Sequence, residues 1–363
     1  MNVTSNKRLL ALDVMRGITI AGMILVNNPG SWGYVYSPLK HAQWNGLTPT
    51  DLVFPFFMFI MGISTYISLR KYNFTFSTPA ALKIIKRTIV IFLIGIAINW
   101  FALLCYHHDP LPFAQIRVLG VMQRLALCYG ASALIALLIK HKYIPYLIFV
   151  LLAGYFIILI TGNGFAYNET NILSIVDRSI LGDAHMYQDN HIDPEGLLST
   201  IPSIAHVLIG LCVGKLLMEV KDIREKLERL FLIGTILTFA GFLLSYGCPF
   251  NKKIWSPTFV LVTCGLGSSL LALLVWIIDI KGYKKWSRFF ESFGVNPLFI
   301  YVLADVLAIL LGVITVTCQG ESTSLQQAFY TNVLQPVFGN EGGSLAYAIL
   351  FVLLNWAIGY ISV

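Results

Sequence analysis

The chain has 363 residues, of which 57% are hydrophobic and 12% charged, with a formal net charge of +7. An average soluble domain carries about 25% charged residues, so a water-soluble fold with this much apolar surface is excluded. The apolar residues come in blocks of about twenty, the length that crosses a hydrocarbon core of about 30 Å, and they predict an all-α polytopic transmembrane bundle forming a single domain over residues 1–363.

Ten spans are predicted, at roughly 10–29, 51–69, 85–104, 118–139, 143–161, 200–218, 228–246, 257–279, 292–315 and 343–361. The first follows MNVTSNKRLL with no small-residue cleavage site after it, so it reads as a retained span with no separate domain before it. Basic residues are retained on the cytoplasmic side of a membrane. With both termini cytoplasmic, that face takes eighteen of the 25 Lys and Arg residues, from Lys7 and Arg8 to Arg288. The opposite face takes five: Lys40, Arg117, Arg178, Lys252 and Lys253. The positive charge thus reflects orientation and calls for no nucleic-acid partner.

Ionisable groups at membrane depth are expensive unless paired or wetted. In the first span Asp13 and Arg16 stand three residues apart, where they form either an internal ion pair or part of a ligand site. Asn27 and Asn28 end that span on the outer side. Arg124, beside Gln123 in the fourth span, has no partner in its own helix and calls for a carboxylate from another helix or an anionic ligand. His206 and Asp305 are isolated in apolar sequence, as hydrogen-bonded bundle residues or as catalysts. Asn99, Asn296 and Asn355 read as caps or interhelical hydrogen bonds.

The densest chemistry lies from His41 to Asp51, HAQWNGLTPTD, where an outer loop enters the second span. Thr48, Pro49 and Asp51 have the arrangement of a helix N-terminus, which gives Asp51 a capping reading. The same eleven residues hold a His, a carboxylate, Trp44 and Asn45 at the membrane boundary. A histidine can take a proton from an amine or hydroxyl nucleophile, and a carboxylate beside it can orient the ring and stabilise the imidazolium.

The longest stretch outside the spans, 162–199, lies on the outer face with Glu169, Asp177, Asp183, Asp189, Asp193 and Glu195 against a single Arg178. It reads either as a solvated loop or as a surface that attracts a cationic small molecule such as an amino sugar. The six cysteines show no CxxC and no zinc spacing, so no metal is expected. One disulfide among Cys105, Cys248 and Cys318, which fall near one membrane face, is a possibility left open. Neither an internal repeat nor a pair of broken spans, which mark many secondary transporters, is visible.

LDVMRGITIAGMILVNN followed by KHAQWNGLTPTDLVFPFFMFIMGIS resembles the opening helices of the heparan-α-glucosaminide N-acetyltransferase family, a branch of the transmembrane acyltransferases. GVMQRLALCY, DPEGLLSTIPSIAHVLIGLCVGKLL, NKKIWSPTFVLVTCGLG and FGVNPLFIYVL resemble its later blocks, in the family's order. The resemblance implies transfer of acetyl from cytosolic acetyl-CoA to the amino group of a glucosamine residue across the membrane. It implies acetyl-CoA as co-substrate, an amino-sugar acceptor, surrounding lipid and a homodimer. Residue by residue, the family's catalytic His falls on His41, and the neighbouring acidic and amide positions fall on Asp51 and Asn27. Trp44, Asn45, Gln123, Arg124, Arg16 and Asp13 are the candidates for substrate or cofactor binding. His41 acts either as general base or as a transient acetyl carrier. The chain lacks the luminal domain and extra leading helix of the animal lysosomal enzyme, so a bacterial relative in the inner membrane is expected, with an acceptor that differs accordingly. It also stops short of a basic tail, as a truncated C-terminus would. The competing readings are O-acetylation of a cell-wall or surface sugar, and a sugar or precursor transporter.

Overall fold

The computed structural model describes residues 9–108, 110–187, 192–318 and 321–361; Lys7, Arg8 and Asp189, used above, lie outside them. The first half holds α1 (Leu10–Asn27), α2 (Val53–Leu69, entered through the 3-10 turn Pro49–Leu52), α3 (Thr78–His107), α4 (Val121–Leu138) and α5 (Ile144–Thr161). A short α6 (Ile172–Leu181) leads to α7 (Thr200–Glu219), α8 (Ile223–Leu244) and α9 (Pro257–Leu274), which runs on as a π-helical turn to Ile280. The last described elements are α10 (Ser287–Val295), α11 (Pro297–Val313), an antiparallel hairpin of β1 (Thr315–Cys318) and β2 (Glu321–Ser324), α12 (Leu325–Phe329) and α13 (Gln335–Ile361). Among the described residues nine helical segments are long and apolar enough to cross a membrane, or ten with the bent pair α10–α11 as one span.

Burial identifies the solvent. The most apolar stretch of α3 has a mean hydropathy of 2.5 yet is only 11% buried, whereas that of α1 has 1.5 and is 67% buried. In water the more apolar helix would be the one inside. Here the order is reversed, as it must be where the surroundings are hydrocarbon and the polar groups gather at the centre. By the same measure α5 and α8 are peripheral, while α1, α2, α4, α7 and α9 form the interior. Glycines let the inner backbones touch: a Cβ at Gly62 of α2 would collide with Val207 O of α7, and one at Gly294 of α10 would collide with Asp13 O of α1.

Two spans depart from expectation. The ninth, expected as one straight segment over 292–315, turns by 88° between α10 and α11. Pro297 has no N–H, and its ring disfavours a helical residue before it. Asn296 accordingly takes φ −131° and ψ 63°, and a broken span stands where none was anticipated. The tenth, expected over 343–361, starts much earlier, because a run from Leu325 joins α13 and bends at Gly339, whose φ of 72° suits glycine. The six cysteines are all free, so no disulfide links Cys105, Cys248 and Cys318.

The acidic stretch 162–187 and 192–199 is not the solvated loop its composition suggested. Only Glu169 and Asp183 are exposed, both paired with Arg178 (3.3 and 2.9 Å). Asp177, Asp193 and Glu195 are buried. Asp177 Oδ1 accepts the Leu197 N–H at 2.8 Å, and its other oxygen lies against Gly196, with no hydrogen bond among the described residues. Burial pushes this carboxyl up to about 6. A carboxyl raised in the folded state contributes stability that is complete below its unfolded value near 4 and is lost as pH rises through 6. Asp177→Asn should therefore remove a component of wild-type stability worth up to about 3 kcal/mol across that window. Thermal unfolding in detergent at pH 4.5 and 7.5 would show a smaller pH dependence in the variant. Equal dependence in both proteins would locate the linkage elsewhere.

Candidate active site

The segment between α1 and α2 ends in a capping box. The Thr48 N–H and hydroxyl both donate to Asp51 Oδ2, at 3.1 and 2.9 Å, and the Ala42 N–H joins them at 3.1 Å. The other carboxylate oxygen, Oδ1, lies 2.6 Å from His41 Nδ1. The capping and ring-orienting geometries of Asp51 are therefore not alternatives, since each uses a different oxygen of one fully buried carboxylate. A carboxylate acceptor places the ring proton on Nδ1 and leaves the Nε2 lone pair available. The His41 side chain is 45% exposed, so a reactant can reach it.

A third group, which sequence reasoning counted only as an outer charge, completes the cluster. Lys252 Nζ lies 3.2 Å from His41 Nδ1 and 3.7 Å from Asp51 Oδ1. Burial pulls its ammonium below the ordinary lysine value, while the Asp51 and Glu195 carboxylates oppose that shift. The loop carrying Lys252 is fixed: Asn251 Oδ1 accepts the Ile254 N–H at 3.2 Å, and the Tyr155 hydroxyl donates to Ile254 O. Asn45 serves this loop, because Asn251 Nδ2 donates to Asn45 Oδ1 at 3.2 Å and the Gly46 N–H donates to Phe250 O at 2.8 Å.

His41, Asp51 and Lys252 border a cavity of about 560 Å³, together with Asn27 at the end of α1, Arg117, Glu195 and Lys253. Asn27 is exposed, and its side chain makes no hydrogen bond among the described residues. A second cavity of about 420 Å³ lies toward the opposite ends of the same helices, bordered by Arg16, Ser64, Arg87 and the Asn296–Pro297 break. Met23, Val121 and Tyr301 belong to both linings, so the two cavities adjoin inside the bundle across these three side chains.

The remaining sequence candidates divide. Arg16 borders the second cavity and donates to Asp13 Oδ1 (3.0 Å), Gly294 O (3.1 Å) and Ser64 Oγ (2.7 Å), so the ion pair with Asp13 coexists with exposure to a cavity. Trp44 is outside both linings; its Nε1 donates to Phe165 O at 2.9 Å, and its ring lies 4.7 Å from that of Tyr167. Gln123 and Arg124 are buried and border neither cavity. The partner anticipated for Arg124, a carboxylate or an anionic ligand, is replaced by neutral oxygens: Ser203 Oγ (2.7 Å), Ser199 Oγ (2.6 Å) and the carbonyls of Pro194, Gly196 and Ser199. Several carbonyl dipoles converging on one guanidinium do the work of a counterion, and they anchor the 194–199 segment. His206 Nε2 lies 2.9 Å from Pro55 O in the bundle, and Asn99 donates to Arg117 O at 3.0 Å. Among the described residues no three His, Cys, Asp or Glu side chains gather as a metal site.

A family model described as heparan-alpha-glucosaminide N-acetyltransferase, catalytic, matches residues 8–246, two thirds of the chain and the whole His41 segment. This chain belongs to that family. It is 30% identical to human heparan-alpha-glucosaminide N-acetyltransferase over 82% of its own length and 53% of the human protein. To the mouse protein of the same name it is 28% identical, over 84% and 54%. The chain thus spans about half the length of the curated relatives it matches. Within the family-matched region lie His41, Asp51, Asn27, Arg117 and Glu195, whereas Lys252 and Tyr301 come from beyond it. The bundle packs the two parts around one cavity.

Proposed function

We propose that this protein is a transmembrane N-acetyltransferase that moves acetyl from cytosolic acetyl-CoA to the amino group of a glucosamine-type sugar at the outer face of a bacterial inner membrane. The observation that carries the reading is the meeting of two cavities at Met23, Val121 and Tyr301, with the His41 pair in one and Arg16 and Arg87 in the other. The concentration of Lys and Arg on the N-terminal ends of the odd-numbered spans supports placing the second cavity toward the cytosol. A long, thin thioester with anionic phosphates suits this geometry. Its phosphates dock among the basic groups at the Arg16 and Arg87 end, and the pantetheine arm extends past Tyr301 to bring the acetyl group to His41.

In the ternary-complex route, His41 Nε2 takes a proton from the amine as its nitrogen bonds to the acetyl carbon, and returns it to the CoA thiolate as the C–S bond breaks. In the carrier route, Nε2 itself attacks and CoA leaves as the thiolate, which takes a proton from water; the amine then takes acetyl from the imidazole, and its proton passes to the freed Nε2 and on to water. In both, Asp51 holds the Nδ1 proton, and Asn27 offers an amide N–H to the oxygen of the tetrahedral intermediate. Lys252 lies where it balances the charge of Asp51 between turnovers.

The test is transfer of labelled acetyl from acetyl-CoA to glucosamine by purified protein in proteoliposomes. Formation of labelled N-acetylglucosamine is expected. Transfer to N-acetylated sugars but not to glucosamine would replace the reading with O-acetylation, and absence of CoA binding would replace it with transport.

A further inference from the structure

The wall of the His41 cavity carries a second ionic cluster. Arg117 donates to both oxygens of Asp193, at 2.6 and 3.3 Å, and to Glu195 Oε2 at 2.7 Å, with its guanidinium 4.8 Å from the Tyr187 ring centre. Burial disfavours the Arg117 charge, but Glu195 and Asp193 outweigh it and hold the guanidinium above its ordinary value. Asp193 is fully buried and also accepts the Tyr187 and Glu195 N–H groups, at 3.0 and 2.9 Å. One cation therefore faces two carboxylates. Asp193 is used up by Arg117 and the backbone, so the surplus negative charge rests on Glu195, which borders the cavity where Asp193 does not.

Glu195 is also fixed in place. Arg124 Nη2 holds the carbonyls on either side of it, Pro194 O at 3.2 Å and Gly196 O at 3.1 Å. Its Oε1 makes no hydrogen bond among the described residues, although the residue is only 8% exposed. The cavity's other charges are committed. Lys252 lies within contact distance of His41 and Asp51 and only at longer range from Glu195, whose charge it feels without a hydrogen bond or ion pair among the described residues; Asp51 is taken by His41 and the cap, and Lys253 lies over the Tyr167 ring, 4.6 Å from its centre. Withdrawing a carboxylate from water and rigidly orienting it is costly, and that cost is recovered when a ligand brings the missing positive charge or N–H donor.

We propose that Glu195 reads the acceptor: its free carboxylate oxygen takes an N–H of the amino group, so that the site selects a cationic amino sugar over a neutral sugar of the same shape. A carboxylate only accepts hydrogen bonds, so after the ammonium gives its first proton to water, Glu195 still holds one N–H and leaves the nitrogen lone pair free for attack, the second proton going to His41 as the C–N bond forms. The inference rests on the proposed amino-sugar acceptor and assigns its recognition to a residue outside the His41 segment.

Calorimetric binding to the full chain in detergent tests this without requiring turnover, so its failure is distinct from failure of the acetyltransferase reading. Wild type should bind glucosamine at least about tenfold more tightly than glucose, the scale of one hydrogen bond to a charged group. Glu195→Gln, which keeps an acceptor for Arg117, should lose that preference while glucose and acetyl-CoA bind as before. Glu195→Asp should recover part of it. In turnover, Glu195→Gln should raise KM for glucosamine about tenfold with kcat within about twofold. Equal preference in wild type and Glu195→Gln, or a wild type that binds glucose as tightly as glucosamine, would overturn the assignment. A parallel loss of acetyl-CoA binding would do the same, because it would make the role structural.

Discussion

Replacing His41 by alanine is expected to lower acetyl transfer to glucosamine by about a thousandfold or more, whichever chemical route operates. As general base, a positioned imidazole contributes roughly 10²–10⁴ in rate; as acetyl carrier, its removal deletes the intermediate altogether. The loss should fall on kcat and spare acetyl-CoA binding, because the basic groups proposed for the phosphates border the other cavity. Folding should survive, since the ring is 45% exposed and its one carboxylate partner keeps its bonds to Ala42 and Thr48. The two routes separate in one further measurement. Wild type incubated with labelled acetyl-CoA and no acceptor retains protein-bound label if His41 is a carrier and retains none if it is a base, and the alanine variant retains none in either case. Activity of the variant within about tenfold of wild type would remove His41 from the chemistry.

The parts of this site that were legible in the sequence were local ones. His41 and Asp51 are ten residues apart, and the Thr48–Asp51 capping signature locates the carboxylate at the start of a helix, so their nearness follows from the chain itself. The spans were legible for the same reason, as unbroken apolar blocks of the right length. What was not legible depends on how distant helices are arranged. Lys252 is 211 residues from His41 in the chain, Glu195 is 78 from Arg117, and Tyr301 becomes meaningful only because two cavities meet beside it. Arg124 misled in the opposite direction. A buried guanidinium suggested an anion, but the carbonyls that satisfy it carry no signature in the sequence.

One signal was present and unused. On the face depleted of Lys and Arg, five such residues remain, and three of them, Arg117, Lys252 and Lys253, border the His41 cavity. A fourth, Arg178, is occupied by Glu169 and Asp183. Basic residues are selected against there by membrane orientation, so those that persist are held by local structure or by the site.

Asp51→Asn carries the second large effect, and it separates the two jobs of one carboxylate. The three donors on Oδ2, the N–H groups of Ala42 and Thr48 and the Thr48 hydroxyl, are all satisfied by an amide oxygen in the same place. The substituted side chain will turn its carbonyl to them, and its NH₂ then faces His41 Nδ1 where Oδ1 stood at 2.6 Å. An amide N–H cannot accept the Nδ1 proton, so the imidazole must adopt the other tautomer, with the proton on Nε2 and no lone pair left to take one from the amine. Transfer should fall by roughly 10³–10⁴, the scale expected when an orienting carboxylate is replaced by its amide, while the cap persists and any loss of stability comes from the Lys252 ammonium, which gives up its neighbouring carboxylate. Asp51→Ala would lose the cap as well and should be measurably less stable. If the asparagine variant kept activity within about tenfold of wild type, the ring would not need its tautomer fixed, and Asp51 would be a helix cap that happens to touch a histidine.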